Sequence, residues 1–185
     1  MASKKDVCYL LDCSGSMSHM PTEGVELFKQ SVKELDELSL LIRRIRIIEF
    51  GDTYFSYDFK LKELDTKFRW TSWKSSMGQT ALYDAIVFAI LSSKNSSSIL
   101  TIITDGEENS SWSTKESAVK LLKKFRSKDG KVRLIGPGTE DHLMNTLGGE
   151  VDSVFPLDPK TTHSDMITCL GSVEYRSNSQ SLICD

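Results

Sequence analysis

The sequence predicts an α/β domain: a three-layer α-β-α, doubly wound, mostly parallel sheet with one antiparallel edge strand. Short apolar runs of the buried-strand kind alternate along the chain with longer stretches of helical periodicity, the pattern of strands joined by crossover helices. One run, Tyr54 to Leu61, instead alternates strictly and follows its predecessor after a short turn, which fits an antiparallel edge. The length, 185 residues, suits one well-cored domain and is short for two.

Each element has its own signal. Val7 to Leu11 is almost continuously apolar, as a central strand covered on both faces should be. Pro21-Thr22 punctuate a helix start, and Val25, Phe28, Val32 and Leu35 recur at helical spacing among lysines and glutamates. Arg46 to Phe50 reads as the second strand and Gly51-Asp52 as a turn. The alternating run then sets Phe55, Tyr57, Phe59 and Leu61 on one face and Ser56, Asp58 and Lys60 on the other. Thr80 to Ser92 is a helix with Leu82, Ile86, Ala89 and Ile90 inward, and Ile99 to Ile103 a buried strand.

Ser113 to Glu116 form a capping box for a third helix, with Val119, Leu122 and Phe125 inward. Asp129-Gly130 end it. Val132 to Ile135 and Val154 to Leu157 are the last strands, separated by a short helix near Asp141 to Leu147. Thr162 to Asp165 make a second capping box before a final helix through about Glu174. The reading is one domain over residues 1–176, Rossmann-like in its winding, with a serine-rich tail over 177–185 expected to fray.

Composition excludes several classes. Hydrophobic residues at 39% and charged residues at 26% are ordinary for a globular domain. A net charge of -3 gives no overall drive toward nucleic acid or anionic membrane. No apolar run approaches the ~18 residues of a membrane span, and Met1 to Asp6 lacks the apolar core of a secretory signal. Of the four cysteines, Cys8, Cys13, Cys169 and Cys184, the first two lie on an extended run, roughly 16 Å apart. That exceeds the ~7 Å limit for a disulfide. No spacing suggests zinc, so free thiols and a cytoplasmic setting are expected.

Asp12-Cys13-Ser14-Gly15-Ser16 closes the first strand. A carboxylate and two hydroxyls at alternate positions offer hard oxygen ligands, which suit Mg²⁺ or Mn²⁺, and Gly15 would let the backbone turn tightly between them. Gly78-Gln79-Thr80 opens a helix and Thr104-Asp105-Gly106 ends the Ile99–Ile103 run. In parallel α/β sheets ligands bind at the carboxyl ends of the strands, where Asp12 and Asp105 both fall.

Together the three fragments resemble the metal-ion-dependent adhesion site of von Willebrand factor type A (vWA) domains, over roughly Lys5 to Tyr175. The resemblance implies one Mg²⁺ or Mn²⁺ held by Asp12, Ser14, Ser16, Thr80 and Asp105. It also implies two states: Thr80 contacts the metal directly in an open form, and Asp105 in a closed one. An Asp or Glu from a protein partner would fill the open position.

Several residues have plainer readings. Asp12, Ser14, Ser16 and Thr80 also suit turns and helix caps. Glu107 and Glu108 read as solvated loop acids, and His19 as a surface residue rather than a ligand. Trp70, Trp73 and Trp112 either ring the metal face or pack under their own loops. Lys120, Lys123, Lys124, Arg126, Lys128, Lys131 and Arg133 read as the solvated face of a helix and its surroundings, with no aromatic interleaved to stack bases. No glycine-rich phosphate loop follows the first strand, so no nucleotide is expected. The leading expectation is therefore a metal-dependent protein-binding module, not an enzyme, with no nucleic acid or membrane partner. The alternatives are a metal-dependent hydrolase, and a structural subunit in which the metal only ties loops together.

Overall fold

Apolar runs of five to eight residues cannot be hidden singly, and here they are hidden by pairing into one sheet. The computed structural model describes residues 5–19, 42–60, 63, 77–93, 98–137 and 140–157. Its strands are β1 (Lys5–Asp12), β2 (Ile42–Phe50), β3 (Tyr54–Phe59), β4 (Ser98–Ile103), β5 (Lys131–Pro137) and β6 (Ser153–Leu157). They lie in the order β3-β2-β1-β4-β5-β6. All pairs are parallel except β2 with β3, so the alternating run is the antiparallel edge that its pattern predicted. Three helices are described: α1 (Leu82–Ser92), α2 (Lys115–Arg126) and α3 (Glu140–Thr146).

Strand residues of one parity face these helices. Leu10, Ile48, Phe50, Leu100, Ile102, Val132 and Leu134 pack with Leu82, Ala85, Ile86 and Ala89 of α1, Ala118, Leu122 and Phe125 of α2, and Leu143 of α3. Residues of the other parity, including Val7, Tyr9, Leu11, Ile45, Ile47, Ile99, Ile103 and Ile135, form a second buried cluster on the opposite face. At about 1.5–3 kcal/mol for each fully buried Leu or Ile, the two clusters fix register, because a one-residue slip would exchange them. The helices expected at 21–35 and 162–174, and the tail, lie outside the described residues.

Some local expectations need correction. Helix α1 begins at Leu82 after Ala81, whose side chain makes no capping bond, so Thr80 is not its cap. Helix α2 is capped one residue later than the Ser113 box: Thr114 Oγ1 accepts from the Ser117 backbone N–H. On α1 Ala85 is fully buried as well, with Ile90 partly buried against the same cluster, and on α2 Ala118 is fully buried rather than Val119. On β3 only Phe59 is buried, while Phe55 and Tyr57 are 52% and 37% exposed, as the outermost strand has a neighbour on one side only.

Candidate metal centre

Chain connectivity reverses at β1: β2 lies on one side and β4 on the other. This is the switch point at which the loops leaving adjacent strands part and open a crevice. Asp12 ends β1, and the register pairs Leu11 with Ile103, so Thr104 comes level with Asp12 and Asp105 follows it. Two carboxylates distant in sequence are thereby brought to one place by strand pairing alone.

Asp12 is completely buried. Its Oδ1 accepts from the Ser14 backbone N–H at 2.9 Å, and its Oδ2 accepts from Thr104 Oγ1 at 2.6 Å. Burial pushes the Asp12 carboxyl above its usual value, the bonds from Ser14 and Thr104 oppose that rise, and the Asp105 charge adds to it. The Ser14 and Ser16 hydroxyls stand 3.0 Å apart, at the start of a 3-10 turn over Gly15–His19. Ser14 and Thr80 are 1% exposed, while Ser16 and Asp105 are partly open to solvent.

Backbone hydrogen bonds lash the three loops together. Gly15 N–H donates to the Gly78 carbonyl and Met77 N–H to the Cys13 carbonyl, at 3.1 and 3.2 Å. The Thr80 carbonyl accepts from the N–H groups of Asn109 and Ser110, both at 3.1 Å, and Thr80 N–H returns a bond to Asn109 Oδ1 at 2.8 Å. Asp105 Oδ1 accepts from Glu107 N–H at 3.0 Å, and His142 Nε2 lies 3.1 Å from the Asp105 carbonyl oxygen. All five residues singled out in the sequence thus belong to one cluster of loops.

Two glycines let the loops meet. Gly106 has φ +84, a left-handed conformation that favours glycine, and a Cβ there would stand 2.7 Å from Thr146 Oγ1. At Gly136 of β5 a Cβ would come within 1.8 Å of the Thr104 carbonyl oxygen, a spacing no other residue can accept. Gly15 opens the tight 3-10 turn over Gly15–His19 without needing a positive φ. The left-handed residue in this part of the site is Gly78, at φ +53.

Sequence reasoning missed a layer of supports. The Glu108 carboxylate is no idle loop acid: it accepts from the N–H groups of Tyr83, Ser110 and Ser111 and from Ser111 Oγ, at 2.7–3.1 Å. The bond from Tyr83 N–H caps α1 from a distant loop. In return Asp84, in the first turn of α1, accepts from Trp112 N–H and Ser113 N–H, each at 2.8 Å. The acidic and serine residues that follow Asp105 were the available signal, but nothing local says which helix such a loop will cap. Trp112 is 97% exposed, so it does not pack under its own loop. Trp70, Trp73 and the His19 side chain lie outside the described residues.

The donor set is hard oxygen throughout. Cys13 takes no part: burial pushes its thiol up to about 12, and Sγ faces the Leu11 carbonyl at 3.6 Å. Cys8 and Cys13 are both free thiols. Among the described residues no group of three His, Cys, Asp or Glu side chains could hold a metal. A cation here would therefore draw on two carboxylates and the Ser and Thr hydroxyls, a set that fits Mg²⁺ or Mn²⁺ and not zinc. Two basic residues of α2 and one of β5 are engaged: Arg126 pairs with Glu150 and Asp152, Lys123 with Glu150, and Lys131 with Asp152. No helix among the described residues is long and apolar enough to cross a membrane.

No protein-family model and no curated protein matches the sequence. Solved structures do match its fold. The chain is similar to proximal thread matrix protein 1 from the mussel byssus (TM-score 0.63, 20% identity, covering 94% of this chain and 46% of that one). It is similar to a von Willebrand factor type A protein from Catenulispora acidiphila (TM-score 0.60, 15% identity, covering 89% and 41%). It also resembles the manganese-loaded TRAP protein of Plasmodium vivax (TM-score 0.55, 14% identity, covering 90% and 72%). The chain spans less than half the length of the first two. At such identities the likeness establishes the fold, which is that of vWA domains.

Proposed function

We propose that this vWA-fold chain is a metal-dependent protein-protein interaction module. One Mg²⁺ or Mn²⁺ is held by Asp12, Ser14, Ser16, Thr80 and Asp105 and receives an Asp or Glu side chain from a protein partner. The observation that carries this reading is the buried Asp12 carboxylate, oriented by Ser14 and Thr104 beside the paired Ser14 and Ser16 hydroxyls, at the switch point of the sheet. When bound, the cation supplies an electrophilic centre that gains from an added oxygen ligand. Its two resident carboxylates offset its charge and the hydroxyls add none, so an anionic side chain from outside is a suitable ligand. The manganese-loaded state of the TRAP protein, which shares this fold, supports the choice of ion.

A purely structural ion is disfavoured because the loops are already joined by their own hydrogen bonds, Gly15 to Gly78, Met77 to Cys13, and Asn109 and Ser110 to Thr80. A hydrolase would need a general base with lone pairs to spare. Glu108 spends its carboxylate on four donors, which fills the roughly four acceptor sites a carboxylate has. The free thiols Cys8 and Cys13 support a reducing, cytoplasmic setting. The net charge of -3 and the ion pairs that hold Lys123 and Arg126 of α2 argue against a nucleic acid partner.

Calorimetric titration of the intact chain with Mg²⁺ and Mn²⁺ tests the reading. One saturable site is expected, lost in Asp12→Ala while the fold persists by circular dichroism. Unchanged metal affinity in that variant would sink the assignment.

A further inference from the structure

Among the described residues, Trp112 stands apart: a large apolar ring 97% open to water on a backbone that is firmly held. Its own N–H and that of Ser113 are bonded to the Asp84 carboxylate at 2.8 Å, and the preceding residues are gathered by Glu108 and by the Thr80 carbonyl. The loop that carries it, from Asp105 to Ser113, therefore begins at one candidate ligand and is tied midway to another. An indole that contacted the domain would be explained by packing. This one contributes nothing to the core, and its held backbone means that only side-chain freedom is lost when something covers it.

We infer that Trp112 is a second anchor of the metal face, and that the protein partner carries apolar side chains close to the carboxylate it presents to the cation. This rests on the metal reading above and adds to it the chemistry of the partner. Apolar cover is preferred over a partner cation because a ring in water gains most from removal of its area. A cation held over an exposed ring gains less. Tryptophan is also the residue type most enriched where truncation costs an interface most. The exposed Glu107, on the same loop, would further penalise a partner with acidic residues clustered about its one coordinating carboxylate.

The test uses labelled synthetic peptides, each with a single glutamate flanked on both sides by leucine and phenylalanine, by serine, or by lysine. Anisotropy is read with Mn²⁺ and with chelator, beside calorimetric Mn²⁺ titration of the same protein. The apolar set is expected to bind best, and only with Mn²⁺. Trp112→Ala should weaken that set about 30-fold and leave Mn²⁺ affinity and serine-flanked binding unchanged, while Trp112→Phe recovers part of the loss. Failure of Mn²⁺ to bind overturns the metal reading and this inference with it. Mn²⁺ binding with no peptide bound at all overturns the partner-binding reading as well, whereas no preference for apolar flanks, a preference for lysine, or an unaffected Trp112→Ala overturns this inference alone.

Discussion

The two ends of the sheet treat their carboxylates in opposite ways. At the foot, where the parallel strands begin, acids meet guanidinium groups: Asp6 forks onto Arg43 at 3.0 and 2.7 Å, and Asp58 onto Arg46 at 2.9 Å twice. Glu150 and Asp152 likewise share Arg126. At the top, Asp12, Asp84, Asp105 and Glu108 are oriented by backbone N–H groups and hydroxyls. A guanidinium cancels a charge, whereas a neutral donor aims it and leaves the charge in place. The foot is thus closed electrostatically, and the top keeps its anionic charge.

That contrast can be broken in order of expected effect. The largest is Asp12→Ala against Arg46→Ala in the same calorimetric titration with Mn²⁺. The first should abolish binding and the second leave it within about twofold, a difference of a few tenths of a kcal/mol. Loss of affinity in Arg46→Ala would mean that the two ends are coupled. Next is Glu108→Ala, which strips three N–H groups and one hydroxyl of their acceptor. It should cost about 2–3 kcal/mol and lower the melting temperature by roughly 5–10 °C, checked by calorimetry.

Asp84 gives a smaller effect with a defined pH window. Burial acts to raise its carboxyl, but hydrogen bonds from Ser113 and Trp112 outweigh burial and hold it below the usual 3.8. A depressed folded-state pKa stabilises above the unfolded value and is lost as pH falls through the folded one. Asp84→Ala should therefore cost about 1–2 kcal/mol at neutral pH, and the gap between variant and parent should close below 3.8. Denaturant melts at several pH values would show it. Smallest is the foot itself: Arg46→Ala should cost at most about 1 kcal/mol, and less in high salt, because Asp58 is 44% exposed.

How far the molecule was legible follows from the same division. The strands could be read because burial on both faces demands unbroken apolar runs, and Val7 to Leu11 or Ile99 to Ile103 can do little else. Asp12 and Asp105 could be read together because strand ends converge in a parallel sheet, whereas Ser14, Ser16 and Thr80 joined them through the resemblance to vWA domains. What stayed hidden was how loops hold one another. Thr104 was seen only as the neighbour of Asp105, yet its hydroxyl orients Asp12 across 92 positions of chain. Glu108 looked like a solvated acid because its partners, Tyr83 at the start of α1 among them, are set by tertiary contact and leave no periodic trace. The Ser113 box failed for a related reason: Ser113 N–H is taken by Asp84, which moves the cap to Thr114.

Gly136 carries no functional group and touches no candidate ligand, but its missing side chain sets how near β5 lets the Thr104 carbonyl lie. The Thr104 N–H is bonded to the Ile135 carbonyl, so strand and loop meet there without slack. In a saturation scan, positions such as Asp52 or Lys124, exposed and chemically richer, should accept many replacements. Position 136 should accept almost none. Mutational tolerance in this domain would then map the spacing between its strands as sharply as it maps its chemistry.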